Sequence, residues 1–70
     1  MKITDSKTLG YAIRARRKEL QYTQAYLSEF TGLSVTFISD LERGKPTAEL
    51  EKTIRLVTTL GLDILVERRG

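Results

Sequence analysis

A chain of 70 residues has room for one domain, spanning 1–70. A core of that size stabilises weakly and commonly leans on disulfides, metals or a partner chain. Cysteine and histidine are both absent, which excludes disulfides, thiolate nucleophiles and nearly all zinc ligation, so association with another chain is the support that remains. Twelve Lys and Arg against nine Asp and Glu give a formal charge of +3, a mild excess that serves a polyanion only if it is gathered on one face. No apolar run approaches membrane-spanning length, and the opening MKITDSKTLG does not read as a signal peptide. A soluble, cytoplasmic domain is the expectation.

The first segment, roughly Asp5 to Gln21, is predicted to be a helix capped by Asp5 or Ser6. Leu9, Ala12, Ile13 and Leu20 share one face, while Arg14, Arg16, Arg17 and Lys18 make the same segment strongly basic. A second helix runs from Thr23, its hydroxyl cap, to about Phe30, and is expected to bury Leu27 and Phe30. The third opens at Ser34 and carries Val35, Ile38 and Leu41 inward. The fourth is predicted to open at Thr47, with Glu49 and Glu51 in its first turn, where negative charge suits the positive helix end. Its apolar residues are Leu50, Ile54, Val57 and Leu60, and Gly61 is placed for a left-handed cap. Beyond Gly61 the period changes from helical to alternating. Leu62, Ile64 and Val66 then lie on one side of an extended segment, 62–67, and Asp63, Leu65 and Glu67 on the other. A lone apolar strand exposes an unpaired edge, so the economical reading is antiparallel pairing with a second copy through Leu62, Ile64, Leu65 and Val66; an extended tail lying on the helices is the alternative.

The stretch TGLSVTFISDLERGK gathers the chemistry. Two short helices flank Thr31-Gly32-Leu33-Ser34, where Gly32 allows a sharp turn with positive φ. Ser28 is small at the helix crossing, and Leu27, Leu33, Ile38 and Leu41 form the apolar wedge. With Ser34 as cap, the N-terminus of the second helix of the pair, over about 23–43, is left to project. That is a helix-turn-helix, whose second helix enters the DNA major groove by its N-terminal end. Ser34, Val35 and Thr36 occupy that turn, with Ser39 and Asp40 one turn on. None of the three carries the side chains that make bidentate base contacts worth ~1–3 kcal/mol, so operator shape and deformability are expected to carry a larger share of specificity. Asp40 can accept from a cytosine amino group, repel phosphate to enforce register, or be plainly solvated. Arg43 and Lys45, around Gly44, are expected phosphate contacts, and Thr23 a further donor. Phe37 is expected to pack on the core.

The pattern T-Q-x-x-L-S…T-G-L-S-x-x-x-I-S-x-L-E-R-G-K resembles the Cro/CI (XRE)-type helix-turn-helix family over roughly Leu9 to Leu60. L-G-x-A-I-R-x-R-R, F-I-S-D-L-E-R-G-K-P-T and L-G-L-D-I further resemble HipB-type antitoxins. The resemblance implies an all-α, four-to-five-helix lambda-repressor-like DNA-binding domain with a C-terminal β-strand pairing between subunits. It implies that Gln24 reaches a DNA phosphate, and that Arg17 and Glu42 meet as a largely buried ion pair. It further implies a homodimeric repressor of its own operon, bound to double-stranded, palindromic operator DNA and partnered by a HipA-like serine/threonine kinase toxin. A stand-alone or phage-type repressor and a mainly protein-binding antitoxin, using the strand and Tyr11, Tyr22 and Tyr26, are the alternatives. No enzyme, metal or cofactor is expected: no catalytic constellation stands out, and Gly44-Lys45 fails as a phosphate loop because Ser39 replaces the first glycine and Pro46 follows the lysine.

Overall fold

The computed structural model describes residues 1–46 and 49–70, and four helices lie among them: α1 (Ser6–Glu19), α2 (Gln24–Thr31), α3 (Val35–Glu42) and α4 (Leu50–Thr59). Each of the first three starts on a short polar cap. Asp5 accepts from the Thr8 N–H at 2.8 Å while the Thr8 hydroxyl accepts from the Asp5 N–H at 3.1 Å, which makes a reciprocal capping box. Hydrogen bonding to the carboxylate from Thr8, its backbone N–H foremost and then its side chain, holds the Asp5 carboxyl below its ordinary pKa. Thr23 and Ser34 cap α2 and α3 by accepting from Tyr26 N–H and Phe37 N–H, both at 3.0 Å. The expected cap of the fourth helix, Thr47, lies outside the described residues; Glu49 flanks α4 and makes no side-chain cap bond there.

The helices end as abruptly as they begin. Past α1, α3 and α4 the chain turns through a left-handed residue, and two backbone N–H groups fold back onto the last turn: Gln21 and Tyr22, Gly44 and Lys45, Gly61 and Leu62. Two of these left-handed positions are glycine. The first is Gln21, at φ 62°, where an L side chain is strained.

The core is built from Ile13, Leu27, Leu33, Ile38, Leu41, Leu56, Val57 and Leu60, with Leu9, Leu20, Tyr22, Phe37 and Leu62 packed at its edge. Helices α1 and α2 both rest on α3. Gly10 makes the first of these contacts close: a Cβ there would sit 2.9 Å from the carbonyl oxygen of Glu42 and nearer still to that of Leu41. Arg16 ties α1 to the end of α4 by donating from Nε to the Leu60 carbonyl at 2.9 Å, and it also pairs with Glu19.

Several apolar positions depart from the inward faces expected of them. Phe30 is 66% exposed because α2 meets the protein along the stripe Gln24, Leu27, Ser28 and Thr31, and Phe30 lies off it; its ring stacks on Tyr26 instead. Val35, at the free tip of α3, is exposed. On α4 the buried stripe is Thr53, Leu56, Val57 and Leu60, which leaves Leu50 and Ile54 facing out. Buried Thr53 is satisfied locally, donating to the Glu49 carbonyl at 2.7 Å.

The fold is all-α, and the C-terminal strand expected over 62–67 is not formed in the single chain. A strand needs a ladder partner, and no extended segment among the described residues offers one. Leu62 packs at the core edge, but Ile64, Leu65 and Val66 are 53%, 78% and 96% exposed, so the segment does not lie down on the helices either.

Replacing Gln21 by Gly relieves the left-handed strain, partly offset by the greater freedom of glycine in the unfolded chain. Urea denaturation should show Gln21→Gly more stable by about 0.5–1 kcal/mol, whereas a loss of stability would show that the Gln21 side chain is needed there.

Candidate nucleic-acid interface

The interface begins with a polar group inside the core. Arg17 on α1 and Glu42 at the end of α3 form a bidentate pair, Nε to Oε2 at 2.6 Å and Nη2 to Oε1 at 2.9 Å. Both residues are 92% buried. The third donor edge of the guanidinium is used as well, with Nη1 donating to the Tyr22 carbonyl at 2.7 Å. The hydrogen bonds that Arg17 donates to Glu42 raise its pKa further, so the guanidinium stays charged. Among the described residues no buried side-chain nitrogen or oxygen lacks a partner. A charge pair taken out of water is tolerable only under that condition.

Gln24 joins this network: its Nε2 donates to Glu42 Oε1 at 3.1 Å. The first residue of α2 is therefore tethered to the last residue of α3, and through it to α1. The family resemblance placed Gln24 at a phosphate, and the tether escaped sequence reasoning because its partner lies 18 positions away and is itself buried.

The helix tip is open. Gly32, at φ 79°, turns the chain from α2, and its N–H closes on the Ser28 carbonyl at 2.8 Å. Leu33 drops into the core, and Ser34, Val35 and Thr36 stand exposed at the first turn of α3. Ser34 and Thr23 each use a hydroxyl oxygen as a cap acceptor, which leaves the hydroxyl hydrogen to donate outward. Exposed Thr23 and half-buried Gln24 sit at the start of α2. Ser39 and Asp40 are partly buried one turn along α3. Phe37 is turned to the core edge, with the Lys52 ammonium 5.9 Å from its ring centroid.

Arg43 and Lys45 are exposed, and both lean on Asp40. Arg43 Nη2 reaches Asp40 Oδ1 at 2.5 Å, and Lys45 Nζ lies 3.4 Å from Oδ2. The Arg43 hydrogen bond, with help from Lys45, holds the Asp40 carboxyl below its usual range. This cluster was also invisible in the sequence; the spacings i, i+3 and i, i+5 would suggest it only once the turn at Gly44 is known. Among the described residues no group of His, Cys, Asp and Glu could hold a metal, and no helix is long and apolar enough to cross a membrane.

Two short helices set around a glycine turn, with the tip of the second exposed and exposed cations following its far end, define a helix-turn-helix domain. Residues 13–66 match the helix-turn-helix family, and the chain belongs to it. It is 43% identical over 65 residues to the uncharacterized HTH-type transcriptional regulator y4mF of Sinorhizobium fredii, spanning 87% of this chain and 86% of that protein. It is 32% identical over 62 residues to the ImmF control region 10 kDa protein of Bacillus phage phi105, spanning 89% of this chain and 69% of that one. Solved structures similar to it throughout include a HipB–O4 20mer complex, at TM-score 0.88, 21% identity, and 100% and 99% coverage of the two chains. A HipA–HipB–O2–O3 complex matches at TM-score 0.89 with the same identity and coverage. The chain is thus a helix-turn-helix transcriptional regulator of the XRE type, with the fold seen in HipB.

Arg17→Met leaves Glu42 buried without its counter-charge, and urea denaturation should show a loss of about 3–5 kcal/mol. Arg17→Met combined with Glu42→Leu should cost less than Arg17→Met alone. Additive losses would show that the two side chains act independently.

Proposed function

We propose that this protein is a homodimeric, operator-binding transcriptional repressor, and specifically the HipB-like antitoxin of an operon whose promoter it represses and whose kinase toxin it binds. The observation that carries the repressor reading is the exposed tip Ser34–Thr36 of a helix held by a buried ion pair, with Thr23 and Gln24 at the start of α2 and exposed Arg43 and Lys45 just past the end of α3. In the bound state the α3 tip sits in the major groove. Ser34 and Thr36 meet base edges or backbone through their hydroxyls, and Val35 meets a thymine methyl. Thr23, Gln24, Arg43 and Lys45 hold phosphates, which fix register and supply affinity without reading sequence. Ser39 lines the groove wall one turn on.

A single eight-residue helix buries little in a groove, so two copies are needed to reach operator affinity. The exposed apolar run Ile64, Leu65 and Val66 is the segment of this chain best suited to join them, with Leu62 anchoring it to the core. Support for the antitoxin reading comes from the HipB-like sequence runs and from the shared fold with HipB in complexes that contain HipA. A second reading, a phage-type repressor without a toxin, is favoured by the 32% identity to the phi105 control-region protein.

Fluorescence anisotropy against the DNA upstream of the gene tests the repressor reading. Arg43→Ala should weaken binding to every duplex and lower the salt slope by about one. Deleting 62–66 should yield monomers in sedimentation and much weaker binding to a palindromic site. A truncation that still sediments as a dimer refutes the strand assignment. Co-purification of the neighbouring gene product separates the antitoxin from the phage-type reading.

A further inference from the structure

The cluster Asp40, Arg43 and Lys45 is odd on stability grounds. Asp40 sits in the last turn of α3, where the helix dipole disfavours an anion. Its neighbours there are two cations from the very loop expected to grip DNA. Each takes a different carboxylate oxygen, Arg43 at 2.5 Å and Lys45 at 3.4 Å. The side chains of Arg43 and Lys45 are 72% and 57% exposed, that of Asp40 only 23%, so the cations reach inward to a partly sheltered carboxylate.

The loop that brings them together is fixed. Gly44 is left-handed and buried, and a Cβ there would come within 2.8 Å of the Lys7 backbone. The Lys45 N–H closes back on the Asp40 carbonyl at 3.0 Å, which seats Lys45 above the carboxylate. Residues 40–45 therefore form one rigid corner carrying two cations and one anion.

We propose that Asp40 is an internal stand-in for DNA phosphate that sets the specificity of the domain. This inference rests on the DNA-binding reading. In the free protein Asp40 satisfies the same cations that a phosphate would. A duplex of any sequence must displace it, and then meets its negative charge beside the backbone. Loose, non-operator binding, which depends almost wholly on phosphate contacts, bears that penalty in full. On the operator α3 seats in the groove, and the released carboxylate can accept from a cytosine amino group, which offsets part of it. Asp40 thus lowers non-specific affinity more than operator affinity.

The test is anisotropy with a random-sequence duplex and with the upstream duplex, each across about 50–200 mM salt. Asp40→Asn and Asp40→Ala should both bind the random duplex roughly fivefold more tightly, the upstream duplex by a smaller factor, with a salt slope steeper by about one. Helical circular dichroism checks that both variants are folded, and two substitutions guard against a defect particular to one. In an Arg43→Gln/Lys45→Gln background, Asp40→Asn should change random-duplex affinity by less than about twofold. An equal gain in that background would mean that bare charge removal is responsible, and would overturn the proposal. So would unchanged random-duplex affinity in the otherwise native chain. If the native protein binds neither duplex, the DNA-binding reading itself fails and the Asp40 proposal falls with it.

Discussion

The guanidinium of Arg17 and the carboxylate of Glu42 join α1 to the end of α3, and the orientation of α3 depends on that junction. Gly10 lets the α1 and α3 backbones approach until the pair can close, and the Tyr22 carbonyl takes the remaining guanidinium edge. A domain of this length has a total stability of roughly 4–10 kcal/mol, so a buried charge left alone would remove much of it. A well-packed apolar pair could hold the two helices together equally firmly. What apolar groups could not do is accept from Gln24, and this bond is how the pair sets the first turn of α2 against the last residue of α3. Stability and presentation of the interface are therefore linked through one carboxylate.

The basic residues divide by task. Arg16 holds the C-terminal end of α4, Arg17 sits in the core, and Arg55 donates to the Thr31 carbonyl at 3.2 Å, closing the end of α2. The modest formal charge of +3 thus overstates what is available to attract a polyanion from any direction, since three of its cations are engaged in holding helices. Arg43 and Lys45 remain exposed at the C-terminal end of α3, and even these are restrained by Asp40. A surface arranged in this way gives weak general attraction and a directed grip, which is what a regulator that must leave wrong sequences needs.

Much of this could be read from the sequence, for identifiable reasons. The hydroxyl and carboxylate caps at Asp5, Thr23 and Ser34 and the turns at Gly32 and Gly61 are local rules, and they placed the first three helix starts and both turns within a residue or two. The wedge Leu27, Leu33, Ile38 and Leu41 followed from helical spacing, and all four are buried. Errors came where burial is decided by tertiary contact. Phe30, Val35, Leu50 and Ile54 are apolar at plausible spacings, yet each lies beyond the area that the neighbouring helix covers. Gly10, the Gln24 tether and the Asp40 cluster depend on backbones and side chains meeting across turns, which periodicity does not encode. The segment 62–67 has the alternation of a strand, but pairing depends on a partner that a single chain does not contain.

Nuclear magnetic resonance on the isotope-labelled full chain tests the central claim most directly: the buried pair presents the α3 tip as the DNA-facing surface. On titration with the upstream duplex, backbone amides of Thr23, Gln24, Ser34 to Thr36 and Arg43 to Lys45 should shift. The Arg17 Nε–H should stay slow to exchange with and without DNA, as expected of a donor held at 2.6 Å in the core. Shifts gathered instead on the exposed side of α1 around Tyr11 and Arg14, with Ser34 to Thr36 unmoved, would contradict the account.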